Sequence, residues 1–189
     1  MSEPISPLRE LLYRGYVTVR AMGLQGMITL RGDLASAKVE AAVKEIAGVA
    51  PPAQRKIARS GDRGAAWMSP DELLIFVPYS DVAERLAQIH AALAGTHFLA
   101  VNVSDARAMF HLEGTQVREA VAKLMPVDMR AHAFGPGDFR RTRMAQIPAA
   151  FWMPAPDAVQ IVCFRSVAEY AFNLLKDAAA PGAEVDFLR

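Results

Sequence analysis

The chain has 189 residues, 52% hydrophobic and 22% charged, with a formal net charge of +1; that length makes one large domain or two small intimate ones, and the charge balance gives no pull towards nucleic acid or a membrane surface. A single cysteine, Cys163, excludes an internal disulfide and a cysteine-based zinc cluster. The mean hydropathy of +0.14 is high for a soluble monomer and fits either a large core or apolar surface covered by a partner.

Residues 1–24 carry acids and prolines without a signal-peptide core, and no apolar run approaches the ~20 residues of a membrane span. They read as an N-terminal segment of a cytoplasmic protein. A strand is expected at 27–32, punctuated by Gly32. A helix follows, with Val39, Ala42, Val43 and Ile46 on one face and Asp33 or Ser36 to cap it. Arg55, Lys56, Arg59 and Arg63, set between Pro51-Pro52 and Gly64, read as a solvated basic loop. Strands at 65–68 and 72–77 form a hairpin turned by Ser69-Pro70-Asp71, where proline presets φ and aspartate bonds nearby backbone. Asp81 opens a second helix with Glu84 three residues on, a capping-box-like pair. Its apolar stripe is Val82, Leu86, Ile89 and Leu93. A strand at 98–103 closes the half.

The second half repeats this grammar. A strand is expected at 109–114, then a helix with Val117, Ala120, Val121 and Leu124 on one face. Gly135-Pro136-Gly137 turns the chain into strands at 144–152 and 158–164, joined through Pro156-Asp157. Ser166 and Glu169 form a capping box, and Val167, Ala171, Leu174 and Ala178 carry the last stripe. Trp67 and Trp152 stand 85 residues apart, as do Asp81 and Ser166, Val82 and Val167, and Glu84 and Glu169. Solenoid repeats run to roughly 20–50 residues, so this is a duplicated supersecondary unit. Each half reads β-α-β-β-α, and a further strand closes the first: the split βαβ of ferredoxin-like folds. The fold expected is α+β, two pseudo-symmetric repeats at 25–103 and 104–189 in one intimate unit, with helices on one face of a mixed or antiparallel sheet.

Dinucleotide, phosphate-loop, nucleophile-elbow, zincin and Cys-x-x-Cys motifs are all absent. His90, His97, His111 and His132 lack ligand spacing, so no metal ligand is assigned. Cys163, inside an apolar strand, reads as an inert thiol. Arg140, Arg141 and Arg143 stand beside a strand and could meet an acidic partner. Asp105 and Arg107 read best as a strand-end ion pair, and Trp67 and Trp152 as core or seam residues. No catalytic residue is assigned.

The run Val103-Ser104-Asp105-Ala106-Arg107-Ala108-Met109-Phe110-His111-Leu112-Glu113-Gly114, followed by a helix and Pro126-Val127-Asp128, resembles the folate-binding aminomethyltransferases, the group of the glycine-cleavage T-protein. From about residue 25 to 178 the chain resembles more closely the gamma subunits of heterotetrameric sarcosine oxidases. The matching pieces are Ile28–Asp33, Trp67–Leu74, Asn102–Arg107, Arg141–Ala145 and Phe164–Tyr170.

The resemblance implies a structural, non-catalytic subunit of a complex that oxidises N-methylglycine to glycine. The methyl carbon leaves as formaldehyde or passes to tetrahydrofolate. Alpha, beta and delta subunits are the expected partners. FAD, FMN, NAD, zinc and tetrahydrofolate are expected on them, with no cofactor on this chain. The aminomethyltransferases carry Gly-Gly-x-x-Asp-Asp in their second hairpin; here Ala149–Asp157 lacks the glycines and paired carboxylates, which implies that the folate site is not kept. The alternative is a free-standing folate-binding or one-carbon transfer protein, with Asp105, Arg107, Asp128 and Trp152 lining a pocket between the halves.

Overall fold

In the computed structural model, which describes residues 5–8 and 11–188, the elements in chain order are β1 (Leu12–Arg14), β2 (Thr18–Ala21), β3 (Gly26–Gly32), α1 (Ala37–Ala47), β4 (Ile57–Ser60), β5 (Arg63–Ser69), β6 (Glu72–Val77), α2 (Val82–Ala92), β7 (Phe98–Asn102), β8 (Arg107–Glu113), α3 (Val117–Ala122), β9 (Phe139–Met144), β10 (Ile147–Ala155), β11 (Ala158–Phe164) and α4 (Ala168–Ala178). They fall into two units. One is contiguous, Leu24–Asp105. The other is split, joining the stretch that ends at Gly23 to the residues from Ala106 onward.

The contiguous unit is an antiparallel sheet in the order β4-β5-β6-β3-β7. Alternate residues of its strands, Ile28, Leu30, Ile75 and Val77, meet Val39, Val43 and Ile46 of α1 and Ile89 and Leu93 in and beyond α2. The 3.6-residue stripe of α1 is thus the buried one. Its C-terminus is closed by Gly48 in the left-handed region, whose N–H bonds the Lys44 carbonyl. Met27, Ala66, Leu74 and Phe76, on the other face of the sheet, are buried too. Burial on both faces is why β6 reads as a continuous apolar run rather than an alternating one.

The split unit has the sheet order β1-β2-β8-β11-β10-β9, again antiparallel throughout. Here β8, α3, β9, β10, β11 and α4 follow one another as β3, α1, β4, β5, β6 and α2 do. The equivalence extends to detail. The β5–β6 register holds to Trp67↔Leu73 and then shifts to Ser69↔Glu72. The β10–β11 register holds to Trp152↔Gln160 and then shifts to Ala155↔Ala158. In both units a glycine at the end of the strand before the first helix donates its N–H to the turn aspartate, Gly32 to the Asp71 carbonyl at 3.0 Å and Gly114 to the Asp157 carbonyl at 2.9 Å.

The fifth strand differs in origin. The place that β7 holds in one sheet is held in the other by β2, from the N-terminal stretch, with β1 paired outside it. That stretch, expected as an N-terminal segment outside the two repeats, supplies core: Val17 and Val19 pack with Phe110, Leu112, Phe151 and Ile161. The Tyr16 N–H bonds the Ala179 carbonyl at 3.0 Å. A Cβ at Gly15 would lie 1.8 Å from that same oxygen, so the approach of the β1–β2 turn to the end of α4 requires glycine.

Three local expectations are corrected. The basic loop contains β4, where Ile57 is buried and the Arg59 guanidinium lies 4.8 Å from the centre of the Phe76 ring. The strand expected at 144–152 is the end of β9 and most of β10, parted at Ala145, whose φ is 49°. Neither expected capping box forms a side-chain cap. Both helices are entered through 3₁₀ turns, Tyr79–Asp81 and Arg165–Val167, and Asp81 and Val167 stand at the N-caps. Asp81 has helical φ and ψ rather than the extended backbone that turns an N-cap side chain onto the first N–H groups.

Candidate functional site

Each residue singled out from the sequence has a definite local setting. Asp105 lies in the 3₁₀ turn Ser104–Ala106, exposed, and accepts a hydrogen bond from the Tyr79 hydroxyl at 2.8 Å. The preceding Ser104 is buried. Its hydroxyl accepts the Met27 N–H at 2.9 Å and donates to Asn102 at 2.6 Å, which fastens this turn to the start of β3. Arg107 opens β8 opposite Phe164 on β11, and its guanidinium stacks 4.3 Å from the centre of that ring. Trp152 is buried in β10 and stacks on Phe139 with centroids 6.0 Å apart.

Asp128 follows α3 in the split unit. Its carboxylate takes two hydrogen bonds from Arg130 Nε, at 2.9 and 3.0 Å, and further ones from Arg130 Nη2 and the Arg130 backbone N–H. These bonds hold its pKa down at about 2, and they raise that of Arg130. Asp128 borders a hollow of about 290 Å³ whose other walls include Val127, Met129, Phe187 and Leu188. Arg107 and Trp152 are not among those walls. The carboxylate is spent on its own neighbour, and the rest of the lining is largely apolar, so the hollow offers no group poised to take or give a proton.

Cys163 is buried in β11, and burial pushes its thiol up to about 11, against the opposing charge of Arg107. His111 sits mid-strand with Nε2 3.8 Å from a carboxylate oxygen of Glu113. Among the described residues no group of three or more His, Cys, Asp or Glu side chains could hold a metal ion. No helix among them is long and apolar enough to cross a membrane.

Two charged residues with a clear local task escape sequence reasoning. Glu119 on α3 is buried, and its carboxylate accepts the Val185 N–H. Lys123 donates to the Tyr16 hydroxyl at 2.9 Å, to the Ala178 carbonyl at 3.1 Å and to the Ala183 carbonyl. Together they pin the residues after α4 against α3. Neither stands out in the sequence, because their hydrogen-bond partners come from far along the chain.

Residues 31–181 match the family described as sarcosine oxidase, gamma subunit. The chain belongs to that family. The sarcosine oxidase subunit gamma of Corynebacterium sp. (strain P-1) is 28% identical over 173 residues, which cover 90% of this chain and 78% of that protein. Among solved structures, a chain of the heterotetrameric sarcosine oxidase from Corynebacterium sp. U-96, in complex with pyrrole 2-carboxylate, superposes with a TM-score of 0.79 at 25% identity, covering 86% of this chain and 83% of that one. The glycine cleavage aminomethyltransferase T of Bartonella henselae matches with a TM-score of 0.56 at 10% identity over 83% of this chain and 45% of that protein. The last likeness is one of fold, and it agrees with the T-protein-like α+β architecture expected from the sequence.

The second hairpin of this gamma-subunit chain carries one carboxylate in its Ala149–Asp157 stretch, on Asp157. Ala149, Ala150, Phe151, Trp152 and Met153 are all buried in β10. The carboxylate of the turn, Asp157, is exposed and unaccompanied by a second one in the Ala149–Asp157 stretch. These residues do not fit folate chemistry of the aminomethyltransferase kind.

Proposed function

We propose that this chain is a non-catalytic structural subunit of a heterotetrameric sarcosine oxidase, the complex that oxidatively demethylates N-methylglycine to glycine. Its partners are the alpha, beta and delta subunits. FAD, FMN, NAD, zinc and tetrahydrofolate belong to those chains and none to this one, and the complex is cytoplasmic. The carrying observation is the family match across residues 31–181, together with the superposition on a chain of such a complex. The side chains support the same reading. Asp105, Arg107, Asp128 and Trp152 are engaged by Tyr79, Phe164, Arg130 and Phe139, which is how structural groups behave. On this reading residues 25–103 and 104–189 descend from one duplicated module whose ancestral pocket has lost its reactive groups.

Co-expression with candidate alpha, beta and delta chains tests the proposal. The expected outcome is that this chain co-elutes with flavin absorbance and with sarcosine-dependent turnover on size exclusion. An active flavoprotein from which this chain elutes separately overturns it. Tetrahydrofolate added to the isolated chain should leave tryptophan fluorescence unchanged. Saturable quenching at micromolar ligand would establish the free-standing folate-binding alternative.

A further inference from the structure

The four outer strands of the two sheets are not alike. In the contiguous unit, β4 adjoins Arg55 and Lys56 and carries Arg59. In the split unit, β9 carries Arg140, Arg141 and Arg143, of which Arg141 and Arg143 are exposed on one face. Charges on an edge strand oppose the addition of a further strand. The opposite edge of the split unit, β1, is three residues long and too short to template much pairing. The remaining edge, β7, has none of these protections. It runs five residues, Phe98-Leu99-Ala100-Val101-Asn102, with no charge, and exposes Leu99 and Val101 at 52% and 40%.

These two side chains share one face. Ala100 belongs to the helix-covered core and Phe98 packs against it, while Leu99 and Val101 alternate to the other side. Leu99 lies opposite Arg31 and Val101 opposite Thr29 on β3. The matching position in the split unit is β2, and there a further strand, β1, is paired outside it. The same sheet order thus appears twice, once with this edge covered and once with it open.

At the Phe98 end the edge runs into an open hollow of about 680 Å³, lined by Arg31, Asp33, Asp71, His97, Phe98 and Leu99 among others. Arg31 Nη2 bonds Asp71 at 3.2 Å, and Asp33 adds a second carboxylate. Acid outnumbers permanent base at this mouth, so it complements a cationic side chain.

Resting on the subunit reading above, we infer that β7 is a docking edge that takes an extended segment of a partner subunit as a sixth strand. The segment has apolar residues at alternate positions, facing Leu99 and Val101, and a Lys or Arg placed to reach Asp33 and Asp71. Main-chain hydrogen bonds hold it, and the alternating side chains give it register.

The test uses the co-expressed complex. In the wild-type complex, amides of Phe98–Asn102 should exchange about tenfold more slowly than in the isolated chain. Leu99→Lys and Val101→Lys, both at exposed positions, should lower the fraction of chain that co-elutes with flavin about tenfold, while the melting temperature of the isolated chain is unchanged. Amides that exchange equally fast in chain and complex overturn the inference whatever the variants do. Variants that assemble at the wild-type level overturn it too, and leave the subunit reading standing. An isolated chain that dimerises and is made monomeric by Val101→Lys shows that the edge takes a second copy, which also overturns it. Failure of the wild-type chain to assemble removes both readings together.

Discussion

Cys163 illustrates how setting decides reactivity. A thiol reacts as its thiolate, and a thiol whose folded pKa is pushed up to about 11 by burial is almost wholly protonated at pH 8. Native protein should therefore show no reaction with a disulfide reagent at pH 8, and full reaction in denaturant. Rapid native labelling would mean that β11 opens. Asp128 shows the opposite shift. Its folded pKa of about 2 lies below the ~3.9 of a free aspartate, so it contributes stability that is present above pH ~4 and lost as pH falls towards 2. Denaturation midpoints followed from pH 5 to pH 2 should fall less steeply in Asp128→Asn than in wild type. Gly15 is a steric case. With the Ala179 carbonyl 1.8 Å from where a Cβ would stand, Gly15→Ala must part the β1–β2 turn from the end of α4. It should cost about 3 kcal/mol by chemical denaturation.

At the scale of elements, β2 is the telling strand. It pairs β8 over Thr18↔Glu113 to Ala21↔Phe110 and places Val19 in the core at 0% exposure. Val19→Ala should cost about 2 kcal/mol, close to the effect of the same change at a central core valine and far above that of a surface one. This strand was not legible in the sequence. Four residues give too short a period to read, and its partner lies about ninety residues on. By contrast the Pro70-Asp71 and Pro156-Asp157 turns were legible, because proline and aspartate impose their conformation locally. So were the face of α1, where periodicity and burial coincide, and most of that of α2, where Val82, Ile89 and Leu93 are buried and Leu86 is half-buried. The face of α4 was only partly read. The 85-residue step assigned Val167, Ala171, Leu174 and Ala178, whereas the helix buries Ala168, Ala171, Phe172, Leu175 and Ala178 and leaves Val167 and Leu174 half-buried. The row with phenylalanine carries more apolar area, and burial follows area. Of the candidate site residues, their kinds could be read but not their neighbours. Arg130 beside Asp128 is visible at two residues' distance; Tyr79 beside Asp105 depends on the fold.

For the molecule as a whole, the high apolar fraction has its explanation in strands buried on both faces, such as β6 and most of β10, and the open edge at β7 adds part of the exposed apolar surface, beside residues such as Phe164, Val185 and Phe187. The split topology makes a further prediction. Because the start of β2 touches the end of α4 through Tyr16 and Ala179, a permuted chain can begin at Leu24, run through α4 and pass by a short Gly-Ser linker into Tyr16 and β2. It should fold with a melting temperature within about 10 °C of the parent, since the joint links two ends that already touch. Aggregation of the permutant would show that β1 or the tail after α4 is needed. In the natural order β2 leaves the ribosome some ninety residues before β8. At ~5–20 residues per second β2, with only β1 beside it, waits roughly 5–20 s for β8, while Leu24–Asp105 emerges as one uninterrupted stretch. The nascent chain therefore carries the β1–β2 hairpin, with the β8-facing edge of β2 open, past a unit able to finish first, and any holding factor that binds early would find its target there.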